Sequence, residues 1–201
     1  MTGKLLSLNF APVMVSIPEL WIPILLSSVF VFLLSWAVHM LPLWHKNDFP
    51  QVPNEDKVRD AIRPLAIPPG EYMIPRCSSP KEMKSPEFVE KLKAGPVLML
   101  SVYPNGAFKM GASLVQWFIY CVVIGIFSAY VTGRALPPGA EYLHIFRFAG
   151  VTAFFCYSVA MWQGSIWFKR SWSNTAKMTF DGLLYGLVTA GTFGWLWPSG
   201  M

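Results

Sequence analysis

Residues 111–132 read GASLVQWFIYCVVIGIFSAYVT, and this stretch decides the fold class. It contains no acid, no Lys or Arg and no histidine. As an α-helix rising 1.5 Å per residue, it has the length needed to cross a hydrocarbon core about 30 Å thick. A lone strand in lipid would leave backbone groups unpaired at several kcal/mol each. The stretch also lacks the period-two alternation of a membrane barrel. It therefore reads as a membrane-spanning helix.

Three further runs extend the pattern on either side. The first covers 21–43 and has no charge before Lys46. The next after the central run covers 142–167, with Arg147 near its start, and the last covers 180–197, with Asp181 at its beginning. The expected architecture is an all-α membrane protein with four transmembrane helices. A tail at 1–20, an insert at 44–110 and a loop at 168–179 complete it. Trp44, Trp167 and Trp172 would form one interfacial belt, and Trp21, Tyr130, Tyr142, Trp195 and Trp197 the other, because amphipathic rings favour the membrane–water boundary. Trp36, Trp117 and Trp162 lie deeper and read as packing residues. A cleaved signal peptide ending near Ser35-Trp36-Ala37 competes for the first run, but only Lys4 precedes it as a base.

Composition agrees with this reading. Of 201 residues, 54% are apolar and 13% charged, about half the charged share of a soluble globular domain. Eighteen of the 27 charges fall between His45 and Lys109. Such hydrophobicity excludes disorder, and three cysteines make no disulfide framework. The net charge of +5 does not point to nucleic acid, since the bases of the insert alternate with eight acids.

The insert reads as a small α+β unit. Asn54 is placed to cap a helix that Pro64 ends. Ser85-Pro86 followed by EFVEKLKAG has a cap, a first-turn proline, early acid, late lysines and a closing Gly95. VLMLSVY at 97–103 reads as a strand, and Glu71-Tyr72-Met73-Ile74 as its partner. A segment this small rarely builds a strong core alone, so it is expected to lean on the helix ends or on a partner.

Basic residues set the expected orientation. Near the ends of the insert lie Lys46, Lys57, Arg59, Arg63, Lys91, Lys93 and Lys109, and the last loop adds Lys169, Arg170 and Lys177. The opposite side has Lys4, Arg134 and Arg147. Ten against three places both basic loops in the cytoplasm and both termini outside.

Gly182, Gly186, Ala190 and Gly194 recur every four residues, with a shorter series at Gly125, Ala129 and Gly133. Such ridges let helices approach closely in lipid. They serve either packing within the chain or a partner helix, including a second copy. The intramembrane polar candidates are Arg147, Asp181, His39 and Gln116. Arg147 reads as an interfacial anchor near Glu141. Asp181 reads as a helix-start carboxylate favoured by the helix dipole. A membrane haem needs histidines at matching depth on facing helices, whereas His39 and His45 share one segment. No catalytic set, cofactor or metal ligand is assigned.

The stretches GPVLMLSVYPNG, FRFAG and WQGSIW, with the ending FDGLLYGLVTAGTFGWLWP, together resemble a group of uncharacterised bacterial inner-membrane proteins of about this length. The resemblance implies a multi-pass protein of the bacterial cytoplasmic membrane and transfers no catalytic or binding residue. The functional expectation is an accessory, assembly or scaffolding component, acting through helix packing and its insert. A small oligomeric transporter or channel is the alternative. It would need Arg147, Asp181, Gln116 and Gln163 to converge. An enzyme ranks behind both.

Overall fold

A computed structural model describes residues 14–41, 44–107 and 109–200. The chain divides into two units, one running up to Asp48 and resuming at Lys109, the other covering Phe49–Phe108.

The first unit is a helical bundle. After a 3-10 turn at Pro18–Leu20, α1 spans Trp21–Met40. Within the insert α2 covers Glu55–Ile62, α3 Pro80–Met83 and α4 Pro86–Ala94. The bundle resumes with α5 at Met110–Ala135, α6 at Tyr142–Ser158, a 3-10 turn at Val159–Met161, α7 at Trp162–Phe168 and α8 at Trp172–Trp195. Helix α1 packs on α5 and α8, α5 on α6, and α6 on α8, which closes a four-membered ring. Three helical stretches are long and apolar enough to cross a membrane: Pro18–Met40, Met110–Ala135 and Tyr142–Phe168.

The interior is layered. One core cluster joins Val15, Leu20, Ile24, Ala129, Ile145, Ala149 and Phe193. A second joins Val31, Cys121, Ile124, Ala153, Tyr157 and Tyr185. Hydroxyl residues fill much of the remaining buried face, and many bond back along their own helix: Ser28 Oγ to Ile24 O (2.7 Å), Thr189 Oγ1 to Tyr185 O (2.9 Å) and Thr192 Oγ1 to Val188 O (2.8 Å). This local bonding lets a polar side chain sit inside a helix bundle without a partner from another helix.

The fourth helix corrects the sequence expectation. Most of the segment expected as a loop at 168–179 is helical, because α8 begins at Trp172. A short turn through Lys169, which takes a left-handed φ of 54°, connects α7 to α8. Its first turns carry Asn174 and Lys177, polar residues that mimic a loop in sequence but bond to the 44–48 segment. Asp181 therefore lies well inside α8, and the helix-start explanation for it fails.

The small-residue ridge of α8 faces α6 within the same chain. Ala190 is fully buried, and a Cβ built on Gly150 would lie 2.8 Å from the Ala190 Cβ. A Cβ on Gly186 would lie 3.1 Å from Gly150 O and 3.2 Å from Phe154 N, while one on Gly182 would collide with Ser158 Oγ. One on Gly194 would come within 2.5 Å of the Tyr142 ring. The shorter ridge is also closed, with Gly125 against Ile24 of α1 and Gly133 against the Val15 carbonyl. Both ridges serve internal packing.

The aromatic rings divide differently from the expectation in one respect. Trp21, Trp167, Trp172 and Trp195 are exposed at helix ends. Trp117 is half-buried and donates from Nε1 to Ser35 Oγ at 2.8 Å. Trp36 and Trp162, both expected to pack, are 57% and 45% exposed.

In the second unit, β1 (Gly70–Ile74) and β2 (Leu98–Val102) pair antiparallel, with Tyr72 opposite Leu100 and Met73 opposite Met99. Ser85 Oγ caps α4 by accepting from Phe88 N at 3.2 Å, and Gly95 ends that helix with φ 60°. Asn54 precedes α2 as expected but is left-handed and makes no side-chain cap bond. Phe88 is the buried hydrophobic residue of this unit among those described.

Candidate functional site

The bundle's concentration of polar chemistry lies where the chain leaves α1. Beyond Met40 the helix stops, and residues 44–48 turn across α8. Helix α8 presents Lys177 and Asp181 four residues apart on one face, which suits them to hold such a turn.

His45 is the centre of the arrangement. Its Nδ1 lies 2.7 Å from Asp48 Oδ2 and its Nε2 2.8 Å from Asp181 Oδ2. Carboxylate oxygens only accept. His45 is thus bracketed by two carboxyl groups, one at each ring nitrogen. Trp44 Nε1 donates to the other Asp181 oxygen, Oδ1, at 3.2 Å. Lys177 Nζ donates to Asp48 Oδ1 and to Trp44 O, both at 2.6 Å, and Asn174 Nδ2 donates to Asp48 O at 2.8 Å. Lys177 and the His45 ring thus face two carboxyl groups.

Burial sharpens these contacts. The Asp181 side chain is 3% exposed and that of His45 10%. A charge so placed costs several kcal/mol unless it is paired, and here each is paired and hydrogen-bonded. Burial alone pushes the Asp48 carboxyl up, but the bonds and charges of Lys177 and His45 outweigh it and hold the group below the usual carboxylate range.

His39 joins the cluster from the last turn of α1. Its ring stacks on that of His45, with centroids 4.6 Å apart and planes within 6°. His39 Nδ1 lies 3.0 Å from Ser35 O, and since a carbonyl only accepts, Nδ1 carries the hydrogen. One donor atom each from His39, His45 and Asp181 lies within 4.8 Å of the others. In sequence the shared segment speaks only against axial haem ligation by this pair, and His39 stands as a polar candidate on its own. With α1 ending at Met40, His45 lies stacked on His39. A signal was present in the run W-H-K-N-D at 44–48, where aromatic, imidazole and carboxylate lie within one turn.

The remaining candidates stay apart. Arg147 is exposed on α6 and makes no ion pair among the described residues, and Glu141 is instead 3.7 Å from His144 Nε2. Gln116 and Gln163 are exposed on α5 and α7. With Asp181 buried and these three on the surface, no shared polar cavity forms within one chain. The sequence reading did not assign Trp44, His45, Asp48 or Lys177 to a site.

No family model, curated protein or solved structure matches the chain. The reading of the site therefore stands on its geometry.

Proposed function

We propose that the chain is a four-span protein of the bacterial cytoplasmic membrane with both termini outside. In this reading it is an accessory or assembly component that presents residues 49–108 to a partner protein in the cytoplasm. The observation that carries this is the surface of the insert. Phe49 is 94% exposed, and Leu65, Met73, Ile74, Val97 and Met99 are exposed as well. Met73 and Met99 lie opposite each other in the sheet, and exposed apolar side chains that adjoin in this way mark an interaction site. The two-stranded sheet is too small to cover them, as a lone hairpin is marginal in water.

Helix α8 supports the fourth crossing by its length of 24 residues and its close packing on α6. The count of basic residues supports the orientation, and the resemblance noted above supports the compartment. The closed ridges shift the expected binding role away from the helices and onto the insert.

Native purification in mild detergent tests the reading. A copurifying protein should be retained by the wild type and lost on Phe49→Asp or Met99→Glu, with the membrane level of the chain unchanged. Recovery of the chain alone, or of a partner indifferent to both substitutions, would overturn it.

A further inference from the structure

We propose that His39, His45 and Asp181 bind a divalent first-row transition-metal cation of the zinc class, which goes beyond an accessory role and does not depend on it. The argument rests on which atoms are already held. His39 Nδ1 donates to Ser35 O, His45 Nδ1 faces Asp48 Oδ2, and Asp181 Oδ1 accepts from Trp44 Nε1. Each residue thus has its outward atom tied to a supporting group. The atoms left to face a cation are Nε2 of His39 and the pair His45 Nε2 and Asp181 Oδ2, which bond each other at 2.8 Å, in residues whose donor atoms cluster within 4.8 Å.

This is the arrangement a metal site requires of its second layer. A ligating histidine donates its other N–H to a carboxylate or backbone carbonyl, which fixes the tautomer and raises the basicity of the ligand. Here one histidine has the carbonyl and the other the carboxylate, itself anchored by Lys177. Two imidazoles and one carboxylate favour zinc, nickel or ferrous ions over magnesium or calcium, which prefer oxygen.

The rearrangement is small. Nε2 of His45 and Oδ2 of Asp181 are 2.8 Å apart, against about 3.3 Å for two tetrahedral zinc ligands at their usual bond lengths. The cation takes the place of the proton between these two atoms, and that proton leaves to solvent. Parallel rings cannot both hold a metal in plane, so the exposed His39 ring tilts about its Cβ–Cγ bond to bring Nε2 in. Solvent fills the remaining coordination positions on that side.

The experiment titrates Co²⁺ and then Zn²⁺ into the full-length chain in detergent, with a histidine-free tag and a Cys77→Ser background. That background removes the half-buried Cys77 thiol as a competing soft ligand. One equivalent of Co²⁺ should give ligand-field bands without thiolate charge transfer, and Zn²⁺ should displace it. Because His39 is exposed, His39→Ala should fold as the wild type and weaken binding about tenfold or more. Asp181→Asn, which keeps an oxygen for Trp44, should abolish it, with melting and elution profiles reporting the fold. Absence of saturable binding to folded protein, or binding unchanged by both substitutions, would overturn the site and leave the cluster a salt-bridge clamp only.

Discussion

His45 lies between Asp48 and Asp181, its two ring nitrogens 2.7 and 2.8 Å from carboxylate oxygens that are distant in sequence. The bridge ties the turn after α1 to the interior of α8. Asp181 holds a role that neither hydropathy nor helix-dipole reasoning assigns it, because the polar turns ahead of it are helical and aim the donors of Asn174 and Lys177 at the 44–48 segment.

Removing Asp181 should therefore be costly. Asp181→Ala leaves His45 Nε2 without its carboxylate partner and Trp44 Nε1 without its acceptor. Loss of one partner from a buried pair costs about 3–5 kcal/mol. Thermal unfolding in detergent should show a large drop for Asp181→Ala and a smaller one for Asp181→Asn. A double-mutant cycle with His45→Gln should yield a coupling energy well above that of an exposed pair such as Glu87–Lys91. Additive effects would deny the bridge.

Asp48 gives a pH signature. Its carboxyl is depressed in the folded state: burial opposes ionisation, but Lys177 and His45 outweigh it. A depressed carboxylate contributes stability that is present above its unfolded pKa and lost as pH falls through the folded one. The melting temperature should fall between about pH 5 and pH 2, and Asp48→Asn should flatten part of that decline. An identical acid limb in the variant would contradict the assignment.

The glycines of α8 should behave according to what faces them. Gly186→Leu drives a side chain into Gly150 and Phe154 of α6, and Gly182→Ala meets Ser158. Overpacking of this kind costs about 1–3 kcal/mol or more, so both should reduce the yield of folded monomer. Gly111, with open space around its Cβ position, should accept Ala with unchanged or slightly raised stability. Were Gly186→Leu to leave a stable monomer and abolish only a complex, the ridge would be a partner surface.

Much of this architecture was legible because the relevant signals are local. The apolar run 111–132 defines α5 to within a few residues, and Ser85, Pro86 and Gly95 bound α4 by capping chemistry that needs no tertiary context. The β-like apolar run at 97–103, with 71–74 as its partner, sufficed for the two strands. The start of α8 was not legible, since Ser173, Asn174 and Lys177 have loop-like polarity. The bonds of Asn174 to Asp48 and of Lys177 to Trp44 and Asp48, more than a hundred residues away, hold this polar stretch in the helix. The His45 cluster was hidden for the same reason. Each member had an ordinary local explanation, and their meeting depends on a turn at Met40 that hydropathy runs through.

Whether α8 crosses the membrane decides the account, because it sets the side of the C-terminus and completes the bundle in which Asp181 is buried. Three spans would leave residue 200 on the same side as the insert, and four would place it opposite. An alkaline-phosphatase fusion after Gly200, paired with one after Asn105 in the insert, measures this directly. The account predicts activity at Gly200 and none at Asn105. Inactivity at both, with a fluorescent cytoplasmic reporter bright at both, would contradict it.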